Sequence, residues 1–480
     1  MTRLRAEIAR SGPGGRIPSV RQLQRELRAS PVTIQRAVAD LVRRGALVTR
    51  PGDGTFVSEA TPARLGADSS TGGRGADTSW QASVLGRAPS APGGIDHLAS
   101  LATGAEIVLD NGFPEPSLQP VELLRRATVV ASRRASAWDR CLPEGLTGLR
   151  ALVAHELGPS FDASDVLITP GAQAALDSIF RTFLRPGDPV LIEEPGYPGA
   201  IAAALFAGLV PSPVPTDADG VRIDELERCL ERTGARLIVL QPRHANPTGA
   251  NLSRERRGDA LALARQFGAF IVEDDWVRDL DLEPERPSSA PLVTEDSDGH
   301  VVYLRSFSKA SAPGVRVAAV VARGPAWSRL RNARLLADFF AAPLLQEVMI
   351  EVLSSGAWPR HLKALRAELR LRRDALHGAL TEVAPSIEIT RPTGGVVLWG
   401  RLPHNVDEAR FVDGCRSRGV RVGAGRPFWS AEPPSGFVRL SFAGADADSL
   451  ISSAERIGHE LRSTLPTPTT RPTRRRARVG

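Results

Sequence analysis

The chain has 480 residues, 42% of them hydrophobic and 24% charged, the proportions of a soluble globular protein with room for two or three domains. No apolar run approaches the roughly 18 residues of a membrane span, the N-terminus lacks the apolar core of a signal peptide, and three scattered cysteines make neither a disulfide framework nor a metal motif; a reducing cytoplasm is the expected compartment. The net charge of +7 is unevenly placed: residues 1–58 hold 11 Arg against 4 Asp/Glu, and the tail 466–480 holds 5 Arg and no acid, which leaves the body between them at −5. A polyanionic partner is therefore expected for the head alone.

The head, "IPSVRQLQRELRASPVTIQRAVADLVRRGALVTRPGDGTFV", divides into helix, turn, helix and hairpin. Ser19 can cap one helix, with Leu23 and Leu27 on its inner face; Ser30 can cap the next, with Pro31 at its first position. Ile34, Val38, Leu41 and Val42 make that second helix's apolar stripe, which turns Thr33, Gln35 and Arg36 outward near its start. "ALVTR" and "TFVS" read as strands around Pro51-Gly52-Asp53-Gly54, a turn suited to a wing. These motifs resemble the winged helix-turn-helix of the GntR superfamily over residues 1–58. The resemblance implies that Arg21, Ser30, Thr33, Gln35, Arg36 and the wing glycines Gly52 and Gly54 contact double-stranded operator DNA. Pro31 departs from the polar or basic residue common in that family.

Residues 59–95 are rich in Gly, Ser, Ala and Pro without apolar periodicity and read as a flexible linker; 466–480 read as a disordered basic tail. Over 96–465 the short apolar runs "DVLIT", "DPVLIEE", "ARLIVLQ", "AFIVEDD" and "HVVYLRS" alternate with helical stretches, the pattern of an α/β domain with a largely parallel sheet.

Within that body, Lys309 is one of only two lysines in a chain that otherwise supplies its cations as arginine. Guanidinium cannot condense with an aldehyde at neutral pH, whereas a desolvated lysine can. Lys363, on "HLKALRAELRLRR", reads as an ordinary surface charge. Around Lys309, four further stretches carry site chemistry. Gly171-Ala172-Gln173 opens a helix whose free amides suit a phosphate. Tyr197, one of two tyrosines, follows a strand where its ring can cover a flat heterocycle. Asn246 in "HANPTG" can bond a ring oxygen, and a carboxylate of "EDD" at a strand end can hold a pyridine nitrogen protonated; Asp274 is favoured over Asp275, although a slip of one residue reverses which faces the site. Ser306, Ser308 and Arg316 offer donors for a phosphate.

Taken in order, these motifs resemble a fold-type I, aspartate-aminotransferase-like domain. The resemblance implies pyridoxal 5'-phosphate as cofactor, bound covalently by Lys309, with Asp274 at the ring nitrogen, Asn246 at the ring oxygen and Tyr197 stacked on the ring. Arg316, Ser306, Ser308 and the turn Gly171–Ala172–Gln173 would clamp the phosphate, and Arg439 in "GFVRLSFAG" would pair with an effector carboxylate. Trp276 stands near where many relatives carry a tyrosine. The whole chain, a small winged helix-turn-helix plus a large α/β fold-type I domain, resembles the MocR family of bacterial transcription regulators. That implies a head-to-tail homodimer without membrane association, sensing pyridoxal phosphate itself or a small amine or amino acid. An aminotransferase with an appended DNA-binding domain is the alternative; no metal is expected.

Overall fold

The computed structural model describes residues 17–18, 22–23, 38, 47–50, 54–57, 80–85, 106–283, 285, 289–434 and 436–464. The chain divides into two compact units, 1–86 and 87–480.

In the first unit, β1 (Leu47–Arg50) pairs antiparallel with β2 (Gly54–Val57), Leu47 opposite Val57 and Arg50 opposite Gly54. That is the hairpin expected around the Pro-Gly-Asp turn. Ile17 donates its backbone N–H to Thr55 O and is buried, as are Leu23 and Val38; of the inner-face positions read from periodicity, Leu27, Ile34, Leu41 and Val42 lie outside the described residues. A six-residue helix, Trp80–Leu85, lies inside the segment read as linker. "WQASVL" has no Gly or Pro of its own, so the Gly- and Pro-rich composition of its surroundings does not extend to these six residues.

The second unit is built on an eight-stranded sheet. Its strands are β4 (Val166–Thr169), β5 (Pro189–Glu194), β6 (Val210–Asp217), β7 (Gly220–Val221), β8 (Leu237–Leu240), β9 (Phe270–Asp275), β10 (Val301–Ser306) and β11 (Ala318–Val321), in the order β4-β11-β10-β9-β8-β5-β6-β7. The run from β6 to β10 is parallel; β11 is antiparallel to both its neighbours, and β7 closes a hairpin on β6. The apolar runs read from the sequence are β4, β5, β8, β9 and β10. They are continuous rather than alternating because helices cover both faces, and β4, β8 and β11 are buried at every residue. Side chains alternate between two cores: Ile238, Ile271 and Tyr303 on one face, Val239, Val272 and Leu304 on the other.

A second, four-stranded antiparallel sheet follows the 27-residue helix Ala357–Val383, on which Lys363 is exposed. It comprises β12 (Glu388–Ile389), β13 (Val397–Arg401), β15 (Gly423–Ala424) and β16 (Phe437–Ser441), ordered β12-β13-β16-β15. Between β13 and β15 in sequence, β14 (Val420–Arg421) pairs parallel with β3 (Ile107–Val108), the strand that opens the described part of this unit. The stretch after β3 is bonded to the same region: Leu109 and Glu115 donate to Arg421 and Ala443, and Leu109 accepts from Ser441. Residues 107–115 thus belong structurally to the small sheet. Among the described residues no helix is long and apolar enough to cross a membrane.

Candidate functional site

A cavity of about 330 Å³ opens at the C-terminal edge of the parallel strands, where α/β sheets place their ligands. It is lined by Lys309, Asp274, Asn246, Tyr197, Arg316, Ser306, Ser308, Ala172, Gln173 and Arg439. Of the body residues read from the sequence, only Gly171 is not on the wall, and it stands directly behind Arg316.

Sheet register separates the two neighbouring aspartates. Asp274 lies opposite Leu304 on β10 and shares the parity of Val272, whereas Asp275 shares the parity of Ile271 and points to the other face. There Asp275 accepts from the Tyr303 hydroxyl at 2.9 Å and faces Arg243 and Arg278. Asp274 enters the cavity. Its Oδ2 accepts from Gln241 Nε2 at 2.7 Å, while its Oδ1 is buried and has no hydrogen-bond partner among the described residues. Burial, only partly opposed by the Gln241 donor, pushes this carboxyl up to about 6.

Lys309 follows β10 by three residues. Its Nζ stands 3.4 Å from the centre of the Phe113 ring, with Trp276 at 5.7 Å. Burial, then the Arg439 guanidinium, lowers its ammonium to about 7 against the pull of Asp274, with Arg316 lowering it further. The amine is therefore substantially neutral, and nucleophilic, near physiological pH.

At the opposite end, Gly171 caps the helix Ala172–Phe183 with φ 103°, in the left-handed region open to glycine. A Cβ there would lie 2.4 Å from Arg316 Nη2, so the missing side chain is what lets the guanidinium pack against the helix start. Free amides of the first turn, Arg316, Ser306 and Ser308 converge as an anion cradle. Tyr197 donates its hydroxyl to Gln173 Oε1 at 3.1 Å, and Gln173 Nε2 donates to Gly199 O at 2.7 Å, which fixes the tyrosine ring over the cavity rim. Burial pushes the phenol up to about 12, so it stays protonated.

Asn246 Oδ1 accepts from Arg439 Nη1 at 3.2 Å, and Arg439 Nη2 donates to Asp110 O at 2.6 Å. Arg439 comes from β16, so this pair joins the small sheet to the large one. Its Nε is buried without a hydrogen-bond partner among the described residues, and burial lowers the guanidinium to about 10. Trp276 lines the cavity, but its indole N–H donates to His244 O at 3.1 Å. It cannot also serve a ring oxygen as a tyrosine hydroxyl would. Five residues of the wall escape the sequence reading: Gln241, Gly112, Phe113, Gly199 and Ala202.

A wider cleft of about 770 Å³ lies between Asp217–Asp219, the turn Thr248–Arg254 and the small-sheet rings Trp399, Trp429 and Phe437. It contains none of the chemistry-bearing residues above. Among the DNA-contact candidates, Gly54 begins β2, while Arg21, Ser30, Thr33, Gln35, Arg36 and Gly52 lie outside the described residues, as does the tail.

The model of the aminotransferase class I and II family matches residues 132–457, and that of the bacterial regulatory proteins of the gntR family matches residues 2–57. A 2-aminoadipate transaminase of Thermus thermophilus is 33% identical over 74% of this chain and 89% of its own. The HTH-type transcriptional regulator TauR of Rhodobacter capsulatus is 30% identical over 94% of this chain and 93% of its own, and so spans both units. The solved structure of LysN, an alpha-aminoadipate aminotransferase of Thermus thermophilus complexed with N-(5'-phosphopyridoxyl)-L-leucine, superposes with a TM-score of 0.72 at 31% identity, over 77% of this chain and 94% of that one. Pyridoxal phosphate is the cofactor these matches imply. The chain belongs to the aminotransferase class I and II family in the form that carries an N-terminal GntR domain, the domain pairing of the MocR-type transcription regulators.

Proposed function

We propose that this regulator senses pyridoxal phosphate, or an amine presented to it, through Lys309, and that occupancy of the cavity changes how the N-terminal unit engages operator DNA. The observation that carries the reading is Asp274, whose buried Oδ1 has no partner among the described residues, on the wall of the same cavity as a lysine whose ammonium is lowered to about 7. A buried carboxylate oxygen without a partner is costly, and a ring N–H would satisfy it. The residues present fit the cofactor: Asp274 for the ring nitrogen, Asn246 for the ring oxygen, Tyr197 for the ring face, and Arg316, Ser306, Ser308 and the Gly171–Gln173 turn for the phosphate.

When bound, pyridoxal phosphate supplies an aldehyde that a neutral amine captures and a ring that withdraws electrons. The chain's own part is to hold Lys309 deprotonated, keep an anionic acceptor at Asp274 and exclude water with Phe113 and Trp276. Arg439 is the cation available to an effector carboxylate, and drawing it from Asn246 would alter the link between the two sheets. Differential affinity for two arrangements of those sheets is what would shift the population. The exposed apolar side chains Trp138, Leu142, Leu336 and Phe339 support assembly with a second copy, which would present paired DNA-reading units to two half-sites in the cytoplasm.

The test mixes full-length protein with promoter DNA, with and without pyridoxal phosphate, beside Lys309→Ala. Visible absorbance of lysine-bound cofactor should vanish in the variant, and DNA affinity or half-site spacing should respond to cofactor only in the wild type. Indifference of DNA binding to both the cofactor and the mutation defeats the sensing role.

A further inference from the structure

Gln241 immediately follows β8, is 5% exposed, and is the first residue of "QPRHANPTG", in which only the asparagine attracts notice as sequence. Three hydrogen bonds define its position. Its backbone N–H donates to Glu193 Oε2 at 2.7 Å, its Oε1 accepts from the backbone N–H of Asn246 at 2.8 Å, and its Nε2 donates to Asp274 Oδ2 at 2.7 Å. The amide orientation follows from chemistry. A backbone N–H can only donate, so the glutamine oxygen must face Asn246 and its NH₂ must face Asp274. That NH₂ cannot accept, so Oδ2 of Asp274 is held bare. Any proton the carboxyl carries, and any donor it receives from a ligand, is directed to Oδ1, the buried oxygen without a partner among the described residues.

We propose that Gln241 is a positioning residue that sets Asp274 and Asn246 in register with one another, and so with the two poles of a bound heterocycle. The inference rests on the cofactor reading above and deepens it. Gln241 holds the backbone of Asn246, whose side chain accepts from Arg439, so Asp274, Gln241, Asn246 and Arg439 are linked in series from the large sheet to the small one, through the covalent frame of Asn246 at one step. An anion that draws Arg439 from Asn246 Oδ1 loosens one end of this series, and Gln241 carries the change to the carboxylate at the other. The donor from Gln241 also opposes the upward push of burial on Asp274, favouring the ionised form that accepts from a ring N–H.

Two variants of the full chain, Gln241→Leu and Gln241→Glu, separate positioning from mere space-filling. Each is titrated with pyridoxal phosphate at pH 6 and pH 8 by visible absorbance, after circular dichroism and thermal melting show it folded. Gln241→Leu removes both side-chain bonds and should weaken cofactor binding about tenfold relative to wild type at both pH values, the worth of one charge-assisted hydrogen bond. In Gln241→Glu the introduced carboxyl, crowded against Asp274, holds its proton at the lower pH and then mimics the amide as donor and acceptor. Its affinity should lie within about twofold of wild type at pH 6 and fall at least about tenfold below it at pH 8, where the two carboxylates repel. The proposal is overturned if both variants match wild type at both pH values, or if Gln241→Glu is weakened equally at the two. Wild-type protein that takes up no pyridoxal phosphate removes the cofactor reading itself, and this inference with it.

Discussion

The scarcity of lysine makes the state of Lys309 measurable without any cofactor. With its ammonium lowered to about 7, the neutral fraction should rise only about tenfold between pH 6 and pH 8 and then level off. An ordinary lysine near 10.4 gains about 100-fold over the same interval and keeps climbing. Lys363, exposed on the helix Ala357–Val383, is the other lysine and is labelled in the same experiment. At pH 8 the depressed group is about 230-fold richer in free amine than the ordinary one, which offsets poorer access in its roofed cavity. Trace reductive methylation at a series of pH values, followed by peptide mass spectrometry, gives each lysine's relative labelling. Lys309 should show a midpoint near neutrality. In Arg439→Leu, which removes the cation that ranks after burial among the causes, that midpoint should move upward. If Lys309 labelling rises about 100-fold from pH 6 to pH 8 and keeps climbing, as an ordinary lysine's would, the amine is not perturbed and the argument for covalent capture at neutral pH fails.

Gly171→Ala puts a methyl 2.4 Å from Arg316 Nη2 at a backbone φ of 103°, so the guanidinium must leave the anion cradle. Pyridoxal phosphate should then bind about tenfold to a hundredfold more weakly, whereas pyridoxal lacking the phosphate should be little affected, as competitive titration would show. Glu193, buried against Gln241 and pushed up to about 7, contributes stability that is complete below its unfolded value and lost as pH rises through about 7. Glu193→Gln keeps an acceptor for the Gln241 N–H and removes the buried charge. It should raise stability at pH 8 by up to roughly 3 kcal/mol, leave it nearly unchanged at pH 4, and flatten the melting-temperature profile between them. If turnover accompanies sensing, Arg439→Gln should weaken competition by carboxylate-bearing amines and spare amines without a carboxylate; equal loss for both would place Arg439 in a purely structural role.

Much of the site was legible because α/β sheets put chemistry where a buried apolar run ends. The runs ending in "EEPGY", "EDD" and "RSFSK" are β5, β9 and β10, and each delivers its polar end to one cavity. Arg439 was legible through family resemblance, its partners were not: the bonds to Asn246 and Asp110 span 193 and 329 positions. Parity alone left Asp274 and Asp275 open, since either satisfies an apolar strand with an acidic end. The pairing of β9 with β10 assigns them to opposite faces. Trp276 is legible as a departure from the tyrosine of relatives, but only the folded turn reveals that His244 O receives its indole N–H. Phe113 gave no signal, because "DNGFPEP" reads as an irregular loop and meets Lys309 from nearly two hundred residues away. Composition concealed the helix Trp80–Leu85 in the same way, its six residues averaged into Gly- and Pro-rich surroundings.

The stretch 107–115 is stitched to the small sheet, yet its Phe113 rests on a lysine that belongs to the large one. It is also the first stretch of the second unit among the described residues. Whatever reseats that aromatic ring therefore disturbs the buried amine and the strand beside the small sheet together.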